Sequence, residues 1–289
     1  MRDHPRRDPR HRAAPPRHRA QGGERLSRPA AALAVPADPG PAPGDESLEP
    51  APPGALPAGT LFVVATPIGN LEDITLRALR VLREVDLVAA EDTRRTRGLL
   101  EAYGVRAPLV SYFEHNQARR GPELVRRLQG GARIALVTDA GTPGVSDPGF
   151  RLVRLCRDAG VPVVPIPGAS AAVAALSAAG IPADRFVFEG FLPAKPGRRL
   201  TRLRELRALE RPVVLYESPH RVLATLEAIE TVFGAAEVVL AREVTKRFEE
   251  FRRGAAGELR AALAAAGVRG EFTLVVNPRG AAPPAPPGE

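Results

Sequence analysis

Cysteine, lysine and histidine are all scarce in this chain. A single cysteine, Cys156, leaves no internal disulfide to form, and only His115 and His220 of five histidines lie outside the N-terminal segment. A structural zinc site, which draws four nitrogen or sulfur ligands from one place, has too few candidates, and no metal is expected. No run approaches the roughly 20 apolar residues of a membrane span. The first twenty residues are rich in Arg, Pro and His rather than apolar, unlike a secretory segment. A cytoplasmic protein with no membrane attachment is the expectation. Two phosphate-binding signatures are missing as well: no G-x-G-x-x-G follows the first predicted strand, and no G-x-x-x-x-G-K-[ST] occurs anywhere. Dinucleotide-binding Rossmann enzymes and P-loop NTPases therefore lose their main support.

What is present is a chain of 289 residues, 44% apolar, long enough for two domains that each bury a core. The net charge of +8 rests on 39 Arg and two Lys, Lys195 and Lys246. That excess suits a polyanionic partner, although a GC-rich coding bias produces the same Arg-for-Lys exchange. Residues 1–58 hold 13 of the 31 prolines and no Ile, Phe, Tyr or Trp, so they cannot fold alone. Their charge is segregated, with nine Arg against three acids in residues 1–28 and four acids without a base in residues 29–58. They read as a disordered tail, either a nonspecific grip on RNA phosphates or a dispensable extension, and residues 279–289 read as a second tail.

Between the tails, short β-rich runs alternate with helical patterns. Runs at 61–65, 86–90, 108–112, 133–138 and 161–166 are separated by amphipathic stretches such as 74–84 and 123–128. Connections of that length favour parallel strands covered by helices, with ligands gathering beyond the carboxyl ends of the strands. A second series follows the Ala-rich segment 169–180, with strands at 186–189, 212–216, 238–241 and 272–276. The turn at Gly180-Ile181-Pro182 marks the boundary between an N-terminal α/β domain, 59–180, and a C-terminal one, 181–278. The fold class is α/β, two lobes with a cleft between them.

Chemistry collects where predicted strands give out. The first ends in Thr66-Pro67-Ile68-Gly69-Asn70, a tight turn. The fourth runs into a segment from Thr138 to Gly149 with three glycines and two prolines, longer than a plain connection needs. There Asp139 or Asp147 can accept hydrogen bonds from a ligand, or Asp147 caps the next helix with Pro148 at its first position. The fifth ends in Pro167-Gly168-Ala169-Ser170-Ala171-Ala172. A nucleophile elbow would need Gly at 172, which makes a serine hydrolase using His115 or His220 a weak reading. The second ends in Glu91-Asp92-Thr93-Arg94-Arg95, which sets carboxylates beside phosphate-binding arginines, or else an N-cap beside a solvated helix face. Lys195-Pro196-Gly197-Arg198-Arg199 reads as a Pro/Gly loop able to follow an RNA backbone, or simply as a solvated loop.

Six segments then carry a resemblance. VATPIGNL (64–71), EDTR (91–94), DAGTP (139–143) with SDPG (146–149), YESPHR (216–221), REVTK (242–246) and GEF (270–272) occur in order. Over about residues 59–278 the chain resembles the 16S ribosomal RNA (cytidine-2′-O)-methyltransferases of the tetrapyrrole-methylase-like superfamily. The resemblance implies S-adenosyl-L-methionine as methyl donor, held folded in the cleft. It also implies a homodimer, and as substrate a decoding-region cytidine of 16S rRNA within the small ribosomal subunit.

Carried over motif by motif, cofactor contacts fall on Ile68, on Gly141 and Thr142 with Val145 and Ser146, and on Ser170 and Ala171. In the second lobe they fall on Tyr216, Ala241 and Phe272. Thr142 stands where relatives outside the ribosomal branch have Asp. Transfer to a 2′-hydroxyl needs in-line geometry and help with the hydroxyl proton. Glu91 is the expected base or orienter, and Lys246 the group that stabilises the developing alkoxide. Arg94, Arg95, Arg198 and Arg199 are expected to contact RNA phosphates. A tetrapyrrole methyltransferase using the same cleft and a noncatalytic ribosome-assembly factor are the rival classes.

Overall fold

Residues 54–280 are described by a computed structural model, which holds ten strands and eight α-helices. The expectations for residues 1–53 and 281–289 lie outside the described residues. Leu56, placed in the tail by composition, is buried and packs with Phe62 and Val64.

The first sheet contains β1 (Leu61–Val64), β2 (Leu87–Ala90), β3 (Leu109–Ser111), β4 (Ile134–Val137) and β5 (Val163–Ile166), in the order β3-β2-β4-β1-β5 with every pair parallel. Its central strands are apolar at each position because both faces are covered. Phe62, Val64, Val88, Ala90, Ala135 and Val137 face one way, onto α1 (Leu76–Glu84) and α2 (Thr93–Ala102). Their neighbours Leu61, Val63, Leu87, Ala89, Ile134 and Leu136 face the other way, onto α3 (Gln117–Gln129) and α4 (Phe150–Asp158). Period-two alternation thus feeds two cores from one sheet. Cys156 is buried in the second of them.

The second sheet contains β6 (Val187–Phe191), β7 (Val213–Glu217), β8 (Glu237–Arg242), β9 (Glu250–Ala255) and β10 (Phe272–Asn277), in the order β6-β7-β10-β8-β9. Only β6 and β7 run parallel, and the other three pairings are antiparallel. This differs from a second parallel βα series. β8 turns directly into β9 without a helix, so the chain reverses there instead of crossing over. One face rests on α6 (Pro196–Ala208), α7 (Val222–Phe233) and α8 (Ala256–Ala266), through Leu203, Leu206, Leu226, Ile229, Leu259 and Leu263. Each such burial contributes roughly 1.5–3 kcal/mol, against about 0–1 for an exposed ion pair, so the apolar layers hold the fold.

The opposite face carries Val214, Val239, Ala241 and Val275 and is covered by α5 (Ala171–Ala178) through Ala172, Ala175 and Leu176. Helix α5 follows β5 in the chain yet packs on β7 and β10. All the described residues belong to one compact unit.

Candidate active site

Three neighbouring strands of the first sheet, β4, β1 and β5, deliver their carboxyl ends to one edge. The loops after β1 and β4 are tied by a pair of backbone bonds, Thr66 N–H to the Gly141 carbonyl at 2.9 Å and the reverse at 3.1 Å. The Thr66 hydroxyl donates to the Thr138 carbonyl at 3.2 Å. Gly168 is forced by packing, since a Cβ there would lie 2.9 Å from that of Ala65. Facing these loops is the edge of the second sheet where β7 ends and β10 begins, with Thr273 opposite Tyr216 and Phe272 opposite Glu217.

A cavity of about 410 Å³ lies between the two edges. From the first lobe it is bordered by Ile68, by Gly141, Thr142, Val145 and Ser146, and by Ser170 and Ala171, all of the cofactor positions expected there. From the second it is bordered by Tyr216 and Phe272, while the Phe272 side chain packs into the core behind β10. Ala241 is the exception. It shares a sheet face with Tyr216 and Thr273, but it is fully buried among Val239, Val244 and α5 and does not border the cavity.

Tyr216 spans the cleft. Its hydroxyl accepts the Ala172 N–H at 3.2 Å, capping α5, whose N-cap residue Ser170 makes no capping bond of its own. Phe188 and Phe191 meet the Tyr216 ring edge-on at 5.1 and 5.9 Å. Burial pushes its phenol above the ordinary range.

Lys246 borders the cavity and bonds Glu271 at 2.7 Å and Glu243 at 3.1 Å. Partial burial alone would lower its ammonium, yet the two carboxylates outweigh burial and hold it above the ordinary lysine range. Glu243 also accepts the Glu271 N–H at 2.8 Å, joining the REVTK and GEF segments into one brace. Gly69 makes room for this lysine, because a Cβ there would sit 2.4 Å from Lys246 Cγ. Backbone strain concentrates in the same region. Of four non-glycine residues with positive φ among the described residues, Ser146 (61°), Glu243 (50°) and Thr245 (69°) belong to the two cavity loops.

Glu91 does not border the cavity. Its carboxylate accepts the Asp139 N–H at 3.4 Å, and burial, joined by the charge of Asp139, raises its pKa. Asp92 caps α2 by accepting the Arg94 N–H at 2.8 Å, so the ordinary reading of that residue holds. Asp147 does not cap α4: the N-cap is Gly149, Pro148 precedes the helix, and Asp147 borders the cavity instead. Burial, then the charges of Glu91 and Asp139, push its carboxyl up to about 7. The cavity also takes in Phe191, Glu217 to Pro219, Val244 and Glu271, which were not singled out as contacts. Glu217 and Glu271 lay inside matched motifs, and the register of β7 against β10 brings them together.

The expected RNA contacts divide. The side chains of Arg94 and Arg95 are 86% and 71% exposed, the first bonded to Asp92 and the second 3.2 Å from Asp139. The Lys195–Arg199 segment is not a loop, since Pro196 opens α6. Arg198 is exposed on its first turn, whereas Arg199 is only 7% exposed and its Nε has no partner. Arg199 shares the inward stripe of Leu203 and Leu206, which removes most of it from any phosphate. Both His115 and His220 are exposed, and neither bonds Ser170, so the hydrolase alternative has no assembled triad among the described residues.

Residues 60–260 match the Tetrapyrrole (Corrin/Porphyrin) Methylases. The chain is 56% identical over 196 residues to the ribosomal RNA small subunit methyltransferase I of Pseudomonas aeruginosa, covering 68% of this chain and 70% of that one. It is 54% identical over 202 residues to the enzyme of the same name from Escherichia coli O157:H7, covering 70% and 71%. Among solved structures it resembles a uroporphyrin-III C-methyltransferase from Thermus thermophilus complexed with S-adenyl homocysteine. That match has a TM-score of 0.53 at 19% identity and covers 75% of this chain and 96% of the other, a likeness of fold.

Proposed function

The chain belongs to the ribosomal RNA small subunit methyltransferase I family, within the Tetrapyrrole (Corrin/Porphyrin) Methylases, and on that footing we propose that it methylates the ribose 2′-hydroxyl of a cytidine in 16S rRNA. The donor is S-adenosyl-L-methionine and the target lies in the decoding region of the small subunit. The observation that carries this reading is the cavity, where nine of the ten positions expected to hold the donor converge on one space between the two sheet edges.

The residues present suit that donor. A volume of about 410 Å³ lies within the range of small-molecule sites, roughly 300–1,000 Å³. Its walls combine apolar surface from Ile68 and Val145 with hydroxyls from Thr142, Ser146 and Ser170, and Ser170 is not committed to capping its own helix. When bound, the donor supplies an electrophilic methyl group on a sulfonium. Ile68, the Gly141–Ser146 loop, Ser170 and Ala171 grip it from one lobe, and Tyr216 and the start of β10 close on it from the other. Lys246, held charged by Glu271 and Glu243, stabilises negative charge as it develops on the sugar oxygen. Arg94, Arg95 and Arg198 guide the RNA backbone toward the cleft from the carboxyl edges of both sheets. Two interlocked lobes, 59–180 and 181–278, a homodimer and a cytoplasmic location complete the reading.

Mass mapping of 2′-O-methylation in 16S rRNA from a deletion strain, before and after complementation, tests it. One cytidine loses the mark and regains it if the reading holds. Unchanged rRNA methylation, or label accepted by porphyrin precursors in place of RNA, would overturn it.

A further inference from the structure

Three carboxylates border the cavity, and they are not equivalent. Glu217 is fully engaged, accepting the Ser218 N–H at 2.9 Å and the Thr225 hydroxyl at 2.7 Å, with Arg221 at 3.4 Å. Glu271 is paired with Lys246 at 2.7 Å. Asp147 has neither a hydrogen bond nor an ion pair among the described residues, and it is half-buried at the cavity wall.

The surroundings keep it that way. From the end of β2 comes Glu91 and from the end of β4 comes Asp139, both adding like charge. Arg95 already pairs with Asp139 at 3.2 Å, and Arg94 pairs with Asp92 at 2.9 Å. From β7 comes the Tyr216 phenol, which its own burial keeps protonated. Lys246, on the same cavity wall as Glu271, is committed to two other carboxylates. The Asp147 loop is held in its course by Ser146 and Gly149, both at positive φ, and a Cβ at Gly149 would lie 3.0 Å from the Gly144 nitrogen.

We propose that Asp147 is the group that receives the proton of the sugar hydroxyl, and that Glu91, which accepts the Asp139 N–H at the start of the Asp147 loop, is a positioning residue. This rests on the reading that the site methylates a ribose 2′-hydroxyl. As the hydroxyl oxygen forms its bond to the methyl carbon, the carbon–sulfur bond breaks and its electron pair stays on sulfur. The hydroxyl proton passes to an Asp147 carboxylate oxygen and from there to water. An effective base combines reach with a pKa near the working pH. Asp147 borders the cavity with its carboxyl pushed up to about 7, whereas Glu91 does not border it.

The test compares D147N and E91Q in single-turnover methylation of small subunits, with S-adenosylhomocysteine affinity measured by calorimetry and Asp carboxyl titration followed by NMR. The wild-type rate rises about tenfold per pH unit below pH 7 and levels above it, following the midpoint of one cavity carboxyl. D147N keeps its affinity for S-adenosylhomocysteine within about threefold but transfers methyl at least about 100-fold more slowly, without the break near pH 7, and D147E recovers part of the rate. E91Q moves both the kinetic break and the Asp147 titration to lower pH and costs less than about tenfold at high pH, as expected of a weaker base in the same place. The proposal is overturned if D147N transfers methyl normally, if E91Q abolishes transfer at every pH, or if the Asp147 titration ignores E91Q. Wild-type protein that leaves 16S rRNA unmethylated would instead overturn the functional reading, and this assignment with it.

Discussion

Asp147 illustrates how a single carboxyl can serve catalysis at the expense of the fold. Its pKa in the folded protein, about 7, is raised above the unfolded value, so the stability linked to its protonation is present at low pH and lost as pH rises through 7. D147N should therefore raise the denaturant midpoint relative to wild type at pH 8 while leaving it nearly unchanged at pH 4. Equal effects at the two pH values would contradict the half-buried, unpaired carboxylate. Gly190 makes the complementary point about space. It sits at φ 71°, and a Cβ there would lie 2.4 Å from the Ser146 hydroxyl. G190A should cost on the order of 1 kcal/mol or more in urea unfolding and weaken S-adenosylhomocysteine binding measured by calorimetry, because the Ser146 loop must move. What sequence could say at this scale was uneven. Asp92 as cap was legible from local pattern, and the motifs pointed to positions of which nine line one cavity. Whether Asp147 capped α4 or faced the cleft was not, because the answer depends on φ at Ser146 and Gly149. That Ala241 lies outside the cavity lining was not legible either, because a strand-end position does not reveal that α5 and Val244 cover it.

Among the elements, α5 couples packing to the site most directly. Ala175 is fully buried against the second sheet, and the first turn of the same helix presents Ser170 and Ala171 to the cavity while Tyr216 caps it. A175L should cost about 1–3 kcal/mol by overpacking and should also weaken S-adenosylhomocysteine binding. In contrast L203A, which empties the far side of the sheet beneath α6, should cost about 2–5 kcal/mol in denaturant unfolding with little change in that affinity once folded. The parallel first sheet was legible because strands buried on both faces are apolar throughout. The second was harder to read. Strand β9 runs Glu-Phe-Arg-Arg-Gly-Ala along the sheet edge, where charges are tolerated and discourage further pairing, so it lacks an apolar run. Helix α3 was read only from Glu123 onward because Gly121 and Pro122 look like a break. The helix begins at Gln117 and carries the proline inside it.

For the molecule as a whole, an arginine-rich composition proves a poor guide to where nucleic acid would bind. Arg133 is locked to Asp86, Arg202 to Glu189 and Glu205, and Arg253 to Glu237, so much of the basic charge holds the protein's own surface together. Of the arginines proposed to meet RNA, the exposed Arg198 has no ion pair among the described residues, whereas Arg94 and Arg95 do. R198E should flatten the plot of log affinity for small subunits against log salt by about one unit, in filter-binding or fluorescence assays. R202E, equal in charge change but drawn from an internal pair, should lower stability more than it alters that slope.

Because α5 is donated by the first half of the chain to the second sheet, the natural place to cut this protein is not the turn at Gly180. A fragment starting at 181 would leave Val214, Val239 and Val275 bare and would carry a greasy, aggregation-prone sheet into solution. One starting before Ser170 would keep that covering but strip the other piece of its share of the ligand grip. The two halves are thus better regarded as interlocked than as modules joined by a tether, and any split-protein reporter or domain graft built on this scaffold has to respect that handclasp.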